Sequence, residues 1–396
     1  MAASSAKLPP IPTVLASLSA ALAGPVAQAQ SDWDYAYVDY REAPVAANRT
    51  ASGQAEERFR IRSHRLRNQW QRGDDQFSAD ASVEFLSGAS PWYVLPAADD
   101  QRPVQVMSGA SIREQRQALS LGWQRQAGAG RLWGAQLGVS DEDDYRSYSV
   151  GGSAAWDSTH RRWTWSLGGQ YNSDELFPTD GASAQFPQRI RRASRDGAAA
   201  NSSLSYVLSP RSMLQLGVQW EHQRGFLSDP YKLVWVQNET RTIADARPER
   251  REILALSLRG RYHLGTRTAL HLNLGASQDD WGIHAHSAEL RLRQSPPQGL
   301  GWNMLLRWYS QSQADFYTPF LLRRRVDGIA SSDPRLSPFG ALMLGLSWRQ
   351  QYSRWWWGGG MDVYQADGRY ALEGVEQEAP ALLGYWNGFL RIGRDW

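Results

Sequence analysis

The segment Leu214-Gln215-Leu216-Gly217-Val218-Gln219-Trp220-Glu221 alternates apolar and polar residues without a break. Successive side chains of a β-strand point to opposite faces, so this segment predicts a strand with one apolar and one polar face. Repeated segments of this kind indicate an all-β fold. The same alternation recurs around Leu137, Leu256, Leu272, Met304 and Leu344.

The breaks between these segments fall into two interleaved classes. Short, turn-like breaks lie near 72–75, 127–130, 157–161, 209–211, 265–267, 295–298 and 350–353. Longer or more acidic breaks lie at 41–57, 87–112, 140–144, 176–191, 226–249, 278–281, 314–339 and 366–382. These connections predict about sixteen strands, and short turns at one end with long loops at the other are typical of outer-membrane barrels. We therefore expect a transmembrane antiparallel up-and-down β-barrel with both termini in the periplasm.

The first residues predict secretion. Lys7 precedes a short apolar stretch at 11–23, and Ala27-Gln28-Ala29 has the small-residue pattern of a signal-peptidase site. We expect a signal peptide at 1–29, cleaved after Ala29, and a barrel at 30–396 in the bacterial outer membrane. No later segment reaches the 18 apolar residues that a membrane-spanning helix needs.

Composition excludes several classes of function. The chain has no cysteine, which excludes disulfides, thiolate metal sites and thiol catalysis. The net charge is only +3, and the basic residues are almost all arginine, so nothing suggests nucleic-acid binding. The 19 tryptophans and 16 tyrosines fit a wall that meets lipid on one face and water on the other.

Tryptophan positions test the barrel hypothesis independently. Several lie close to a short turn or a terminus, which predicts an aromatic girdle at the periplasmic interface: Trp33, Trp70, Trp123, Trp133, Trp156, Trp163, Trp348, Trp355 and Trp396. The last segment places Trp386, Leu390, Ile392 and Trp396 on one face, which is similar to the signal read by the barrel assembly machinery. Arg394 departs from that pattern.

Six segments resemble a family of bacterial outer-membrane β-barrels catalogued as domain of unknown function 3570: 87–93, 106–113, 143–148, 225–232, 280–283 and 310–317. The resemblance implies an outer-membrane barrel and carries no activity with it. It also implies a setting beside an extracytoplasmic redox system, so a periplasmic or surface redox protein is an expected partner.

The lumen is the first candidate site. Polar partners of the alternating apolar residues are predicted to line it: Gln136, Gln215, Gln219, Glu221, Arg307 and Arg349. Arg58, Arg60, Arg62 and His64 share one face of the second strand, and we expect that face to look inward because several charges facing lipid are costly. Such a basic stripe would favour anions. The alternative is an arginine ladder paired with acids that seals the lumen.

The long loops are the second candidate site, because function often lies in such loops. Trp92, Tyr93 and Tyr317 suit recognition of a partner or a glycan. Arg323, Arg324 and Arg325 suit contact with lipopolysaccharide, which together with outer-membrane lipid is an expected partner.

Acidic clusters at 141–144 and 279–280 could bind a divalent cation, but they lack EF-hand spacing, and solvated loop tips are the default. His284 and His286 lie two residues apart and could ligate a metal or serve an interfacial hydrolase with Ser287. No G-x-S-x-G, H-E-x-x-H or phosphate-loop motif occurs. We therefore assign no catalytic residue, cofactor or metal site.

The sequence favours a porin-like channel or conduit for small solutes rather than an enzyme. The first alternative is a barrel scaffold or sleeve for an extracytoplasmic flavin or electron-transfer partner. The second alternative is an interfacial hydrolase.

Overall fold

The computed structural model describes residues 31–108, 112–128, 130–295 and 298–395. The expected signal peptide at 1–29 and Trp396 lie outside these residues. No helix in the described ranges is long and apolar enough to cross a bilayer.

Sixteen antiparallel strands form one closed barrel, which confirms the predicted all-β, up-and-down architecture and its strand number. Each strand of the wall pairs with the wall strands that precede and follow it along the chain, and the first pairs with the last to close the wall. The wall strands are β1 (Ser31–Glu42), β2 (Arg60–Arg72), β3 (Asp75–Gly88), β6 (Ile112–Gln126), β7 (Arg131–Glu142), β8 (Tyr145–Asp157), β9 (Trp163–Leu176), β10 (Ala193–Ser209), β11 (Ser212–Gly225), β14 (Arg250–His263), β15 (Thr268–Asp279), β16 (His284–Gln294), β17 (Gly299–Gln311), β18 (Phe339–Tyr352), β19 (Trp355–Asp367) and β20 (Gly384–Arg394).

Two further hairpins lie in the long loops, outside the wall. β4 (Pro91–Pro96) pairs with β5 (Pro103–Met107), and β12 (Leu233–Val236) pairs with β13 (Arg241–Ala244). Short 3-10 helices at Ala47–Arg49, Gln237–Glu239, Pro334–Leu336 and Gly368–Tyr370 complete the loops.

The two ends of the barrel differ as the sequence predicts. All seven short turns lie at one end, here called the turn end, together with the start of β1 and the end of β20. All eight remaining connections lie at the opposite, loop end.

Cross-strand register identifies the outward face of every strand, because directly paired residues share a face. Leu216 pairs with Leu204 and Leu258, and this apolar set is more than a third exposed. Following the register around the wall places Leu66, Leu137, Leu290, Leu344 and Leu390 on the same face. A continuous apolar outer surface is what contact with lipid requires.

The predicted aromatic girdle also lies on the outward face. Its described members are Trp33, Trp70, Trp123, Trp133, Trp156, Trp163, Trp348 and Trp355, each within a few residues of the turn end. Trp70 stacks on Phe77 with ring centroids 5.6 Å apart.

Leu137 and Gln136 offer a direct test of which face meets lipid. Arginine at Leu137, outward in the middle of β7, should destabilise the barrel by about 2–4 kcal/mol because the charge enters the bilayer. Gln136→Arg, one residue away and inward, should cost little. Urea titration of the protein refolded in lipid vesicles measures both, and equal losses would contradict the assigned faces.

Candidate functional site: the lumen and its cap

The inward face of the wall is polar and charged. The register places Gln136, Gln215, Gln219, Glu221, Arg307 and Arg349 on this face, where the sequence predicts them. Gln215 donates hydrogen bonds to Ser203 and Ser205, each at 3.1 Å, so neighbouring strands are joined by side chains as well as by backbone.

Basic residues dominate the inward face from β14 to β20. The arginines on this face are Arg251, Arg259, Arg261, Arg291, Arg293, Arg307, Arg349 and Arg391, with His263 and His271. The carboxylates are Asp279, Glu289 and Asp362. Arg261 pairs in register with His271, which pairs in turn with Arg291, so three basic side chains form one row across the wall.

Acidic residues dominate the inward face from β1 to β11. The carboxylates are Asp32, Asp34, Glu42, Asp80, Glu84, Glu114, Glu142, Asp157, Asp174 and Glu221, and the arginines are Arg65, Arg67, Arg116 and Arg195. All four arginines pair with these acids, at 3.2, 2.6, 3.3 and 2.8 Å. The lumen therefore has an acidic half and a basic half, and it is not sealed by one continuous ladder of ion pairs.

Three of the four residues expected to form a basic lumen stripe lie outside. Arg62 pairs with Phe85 on one side and Asp39 on the other, and it shares its face with Leu66 and Trp70. Arg60 and His64 share that face, so their prediction as lumen-lining residues was wrong. The error arose because both faces of β2 carry arginine, and the apolar residues near the turn end decide the orientation.

Arg58 precedes β2 and lies at the loop end. Its guanidinium is buried, forms a 2.6 Å ion pair with the inward Glu42 and donates to the carbonyl of Ala381 at 3.0 Å. Arg58 therefore joins the wall to a loop instead of lining an open passage.

The loops pack into one folded unit, called the cap: residues 43–59, 89–108, 143–144, 177–192, 226–249, 280–283, 312–338 and 368–383. One buried apolar cluster joins four of these segments through Leu227, Trp281, Phe316 and Ala379. Trp281 and Phe316 meet edge to face at 5.1 Å. Loops that share a buried core hold each other in place.

A buried ion cluster lies inside the cap. Asp333 is fully buried, accepts a hydrogen bond from Arg247 at 2.8 Å and pairs with Arg335. Arg247 also pairs with Asp245 at 2.8 Å, and Arg335 pairs with Asp229 at 3.0 Å. Each buried charge is stabilised by its oppositely charged neighbours, because without them it would have neither a partner nor water around it.

The surroundings of the ion cluster shift the pKa values of its members, and the causes differ from one residue to the next. Burial by itself would raise the pKa of Asp333, but the charges of Arg335, Lys232 and Arg247 hold it well below its usual range. Burial lowers the pKa of Lys232, whose ammonium donates to the carbonyl of Pro91 at 2.9 Å. The balance of three acids and three bases keeps the cluster nearly neutral.

The cap bridges the mouth of the barrel. Lys232 follows β11 and Pro91 follows β3, and these strands are six places apart in a sixteen-stranded wall. Strand spacing and tilt give such a barrel a diameter of about 30 Å. Tyr231 adds a 2.6 Å hydrogen bond to Asp144 and accepts one from the backbone of Thr179. Segments from distant parts of the rim therefore meet over the lumen.

The loop residues predicted for recognition lie in three different surroundings. Trp92 and Tyr93 lie on β4, and Tyr93 stacks on Trp235 across two loops at 6.5 Å. Tyr317 is buried in the apolar cluster of the cap, so its predicted role in surface recognition was wrong. The three consecutive arginines Arg323, Arg324 and Arg325 are exposed; Arg324 pairs with Glu239 and Arg325 with Asp327.

The residues of the metal and hydrolase alternatives are only partly brought together. Oxygens of Glu114, Glu142 and Asp144 lie within 4.8 Å of one another. Arg116 lies 3.4 Å from Glu142, and Asp144 accepts the bond from Tyr231, so the group has partners within the protein. His284 and His286 face outward, whereas Ser287 faces inward, so these three side chains do not converge.

Several site residues were missed from the sequence. The inward arginines Arg259 and Arg261 occupy odd-numbered positions of β14, whereas its outward leucines occupy even-numbered ones. The alternation along that strand could therefore have identified them. The buried ion cluster of the cap gave no such signal, because its members are scattered across loops without periodicity.

The wall is closed, its outer band is apolar and its lumen is charged. These features define an outer-membrane-type β-barrel. The chain belongs to the family described as "Protein of unknown function (DUF3570)", which matches residues 1–387 and confirms the resemblance seen in the sequence. No curated protein matches the chain.

Solved structures similar to the chain include other barrels. The siderophore receptor PirA from Pseudomonas aeruginosa is 12% identical with a TM-score of 0.42, over 92% of this chain and 61% of the receptor. A bacterial polysaccharide outer membrane secretin is 8% identical with a TM-score of 0.46, over 92% and 98% of the two chains. The TodX monoaromatic hydrocarbon channel is 10% identical with a TM-score of 0.39, over 93% and 88%. The chain thus spans about three fifths of the siderophore receptor.

Removal of the Asp333 carboxylate should loosen the cap and leave the wall intact. Asp333→Ala leaves three buried cations short of one partner, a change that costs about 3–5 kcal/mol in buried ion clusters. Trypsin should then cut after Arg335, which is followed by the buried Leu336, at least about a hundredfold faster. Asp327→Ala, which breaks an exposed pair, is the matched control and should change cleavage little. Unchanged resistance in Asp333→Ala would contradict the role of the cluster.

Proposed function

We propose that the protein is a gated conduit for small charged or zwitterionic solutes across the bacterial outer membrane. The observation that carries the proposal is the segregation of lumen charge into an acidic half on β1–β11 and a basic half on β14–β20. Opposite charges across a lumen create a transverse field, which orients dipolar solutes and holds ions near the wall.

The cap supplies the gate in this proposal. It bridges the loop end through the Lys232–Pro91 and Tyr231–Asp144 contacts, while the turn end carries only short connections. Solute passage then requires the cap to loosen, and its buried ion cluster sets the cost of doing so. The proposed orientation puts the cap outside the cell and both chain ends in the periplasm, as the lengths of turns and loops favour.

The acidic and basic side chains of the two lumen halves nearly cancel in charge, so we no longer expect a preference for anions. That expectation rested on Arg60, Arg62 and His64 facing the lumen, and these residues face outward. The proposal is therefore a conduit with weak overall selectivity in which either half can be altered separately.

A second candidate is a sleeve that receives an extracytoplasmic partner from the turn end. The observation that favours it is again the cap, because a folded cap across the loop end suits a barrel that holds a partner as well as one that passes solutes. The redox partner implied by the family resemblance belongs to this candidate. Neither candidate assigns a catalytic role to the lumen.

Planar-bilayer recording separates the two candidates. Wild-type protein should show rare openings, and Asp333→Ala should open more often because its cap is loosened. Persistent silence of both proteins, with folded barrels shown by heat-modifiable gel migration, would contradict the conduit and favour the sleeve.

Ion selectivity then tests whether the acidic and basic halves of the lumen act separately. On the Asp333→Ala background, Arg261→Gln with Arg291→Gln should shift the reversal potential in a salt gradient toward cations, by about twofold in permeability ratio at 0.1 M salt. Asp80→Asn, in the acidic half, should shift it toward anions. The shifts should shrink at 1 M salt because of screening. Shifts of the same sign in both variants would refute the segregated lumen.

A further inference from the structure

Four basic residues lie side by side on the outward face near the loop end of β1 and β2. Arg41 pairs in register with Arg60, and Arg62 and His64 follow on the same face of β2. We call Arg41, Arg60, Arg62 and His64 the outer basic patch. It lies outside the lumen, so the conduit or sleeve role of the barrel does not account for it.

The patch carries a net positive charge. Asp39 lies between the two strands and accepts hydrogen bonds from Arg60 at 3.1 and 2.6 Å and from Arg41 at 3.3 and 3.2 Å. One carboxylate thus serves two guanidiniums. Arg62 is exposed, and among the described residues the structure gives it no hydrogen bond or ion pair. A fork of guanidinium donors is therefore available on the membrane-facing surface.

The patch lies at the upper edge of the apolar band, from where long arginine side chains reach the lipid headgroups. Arg62 is eight residues above the girdle residue Trp70 along β2, which is about 20 Å of height at 3.3 Å per residue and a tilt near 40°. Arg60 is about 5 Å higher, close to the top of the roughly 25 Å apolar band of such barrels. At the same distance from the girdle, β17 and β18 carry the neutral residues Ser310 and Gly340.

Aromatic side chains support the patch from below and beside it. His64 accepts or donates a 2.7 Å hydrogen bond with Tyr35, and its ring lies 5.3 Å from Tyr37 and 6.2 Å from Phe85. The guanidinium of Arg41 lies 4.9 Å over the ring of Trp386. Aromatic rings suit the interface between acyl chains and headgroups, so the surface offers apolar contact below and cationic donors above.

We propose that the outer basic patch binds the phosphate groups of a phosphorylated lipid in the membrane leaflet beside the cap. In the orientation proposed above, that lipid is the lipid A part of lipopolysaccharide. Arg62 donates two parallel hydrogen bonds to one phosphate, since guanidinium geometry matches phosphate oxygens. Arg60 and Arg41 add positive charge while remaining bonded to Asp39. The acyl chains lie against Tyr37 and Phe85.

Native mass spectrometry of the full-length barrel, released from detergent micelles containing bisphosphorylated lipid A, tests this proposal. Wild-type protein should retain lipid A, and Arg62→Gln should lower the retained fraction about tenfold, as loss of charge-assisted hydrogen bonds predicts. Asp39→Asn should raise it, because two guanidiniums lose their internal partner. Arg131→Gln removes an exposed, outward arginine at the turn end and should leave retention unchanged.

Four outcomes would overturn the proposal. The first is equal retention in wild type and Arg62→Gln when gel migration shows both are folded. The second is equal retention of dephosphorylated lipid A, which would assign the binding to acyl chains. The third is displacement of lipid A by millimolar inorganic phosphate, which would make free phosphate the ligand. The fourth is a second copy of the chain in place of lipid, lost in Arg62→Gln, which would assign the patch to oligomerisation.

Discussion

Inside a bilayer no water reaches the backbone of a strand, so each N–H and C=O in the wall must bond to a neighbouring strand. In this barrel the requirement is met at the seam, where β1 and β20 pair from Trp33 with Arg394 to Glu42 with Tyr385. Closure also fixes the two faces of the wall, because directly paired residues share a face all the way around. The apolar outer band and the two charged halves of the lumen both depend on that continuous register.

The architecture was predictable because its signals are periodic. Alternation at segments such as 214–221 identifies strands, and the contrast between short and long breaks gives their number and the two ends of the barrel. The inward positions of Gln215, Gln219 and Glu221 follow from the same alternation, since Leu216 and Trp220 fix the outward parity. In these strands one face is clearly apolar, so a single strand is enough to orient its residues.

Prediction failed where one strand did not carry enough information. β2 has arginine on both faces, and its orientation depends on Leu66, Trp70 and the pairing with Phe85 on β3. The ion cluster of the cap could not be predicted for a different reason. Asp333, Arg247 and Lys232 come from separate stretches of the loops, and only the folded rim brings them together. Tyr317 belongs to the same case, because exposure in a long loop cannot be distinguished from burial between two loops. Long-range contacts of this kind leave no periodic pattern in the sequence.

Lys232 gives the cap an unusual chemical property. It is the sole lysine in the described part of the chain, and its ammonium is enclosed between two loops against the carbonyl of Pro91. The outer surface of the cap therefore offers no side-chain amine to acylating reagents while the rim is closed. Covalent labelling at this one atom becomes possible only when the two loops separate, so the native chain contains its own chemical reporter of that separation.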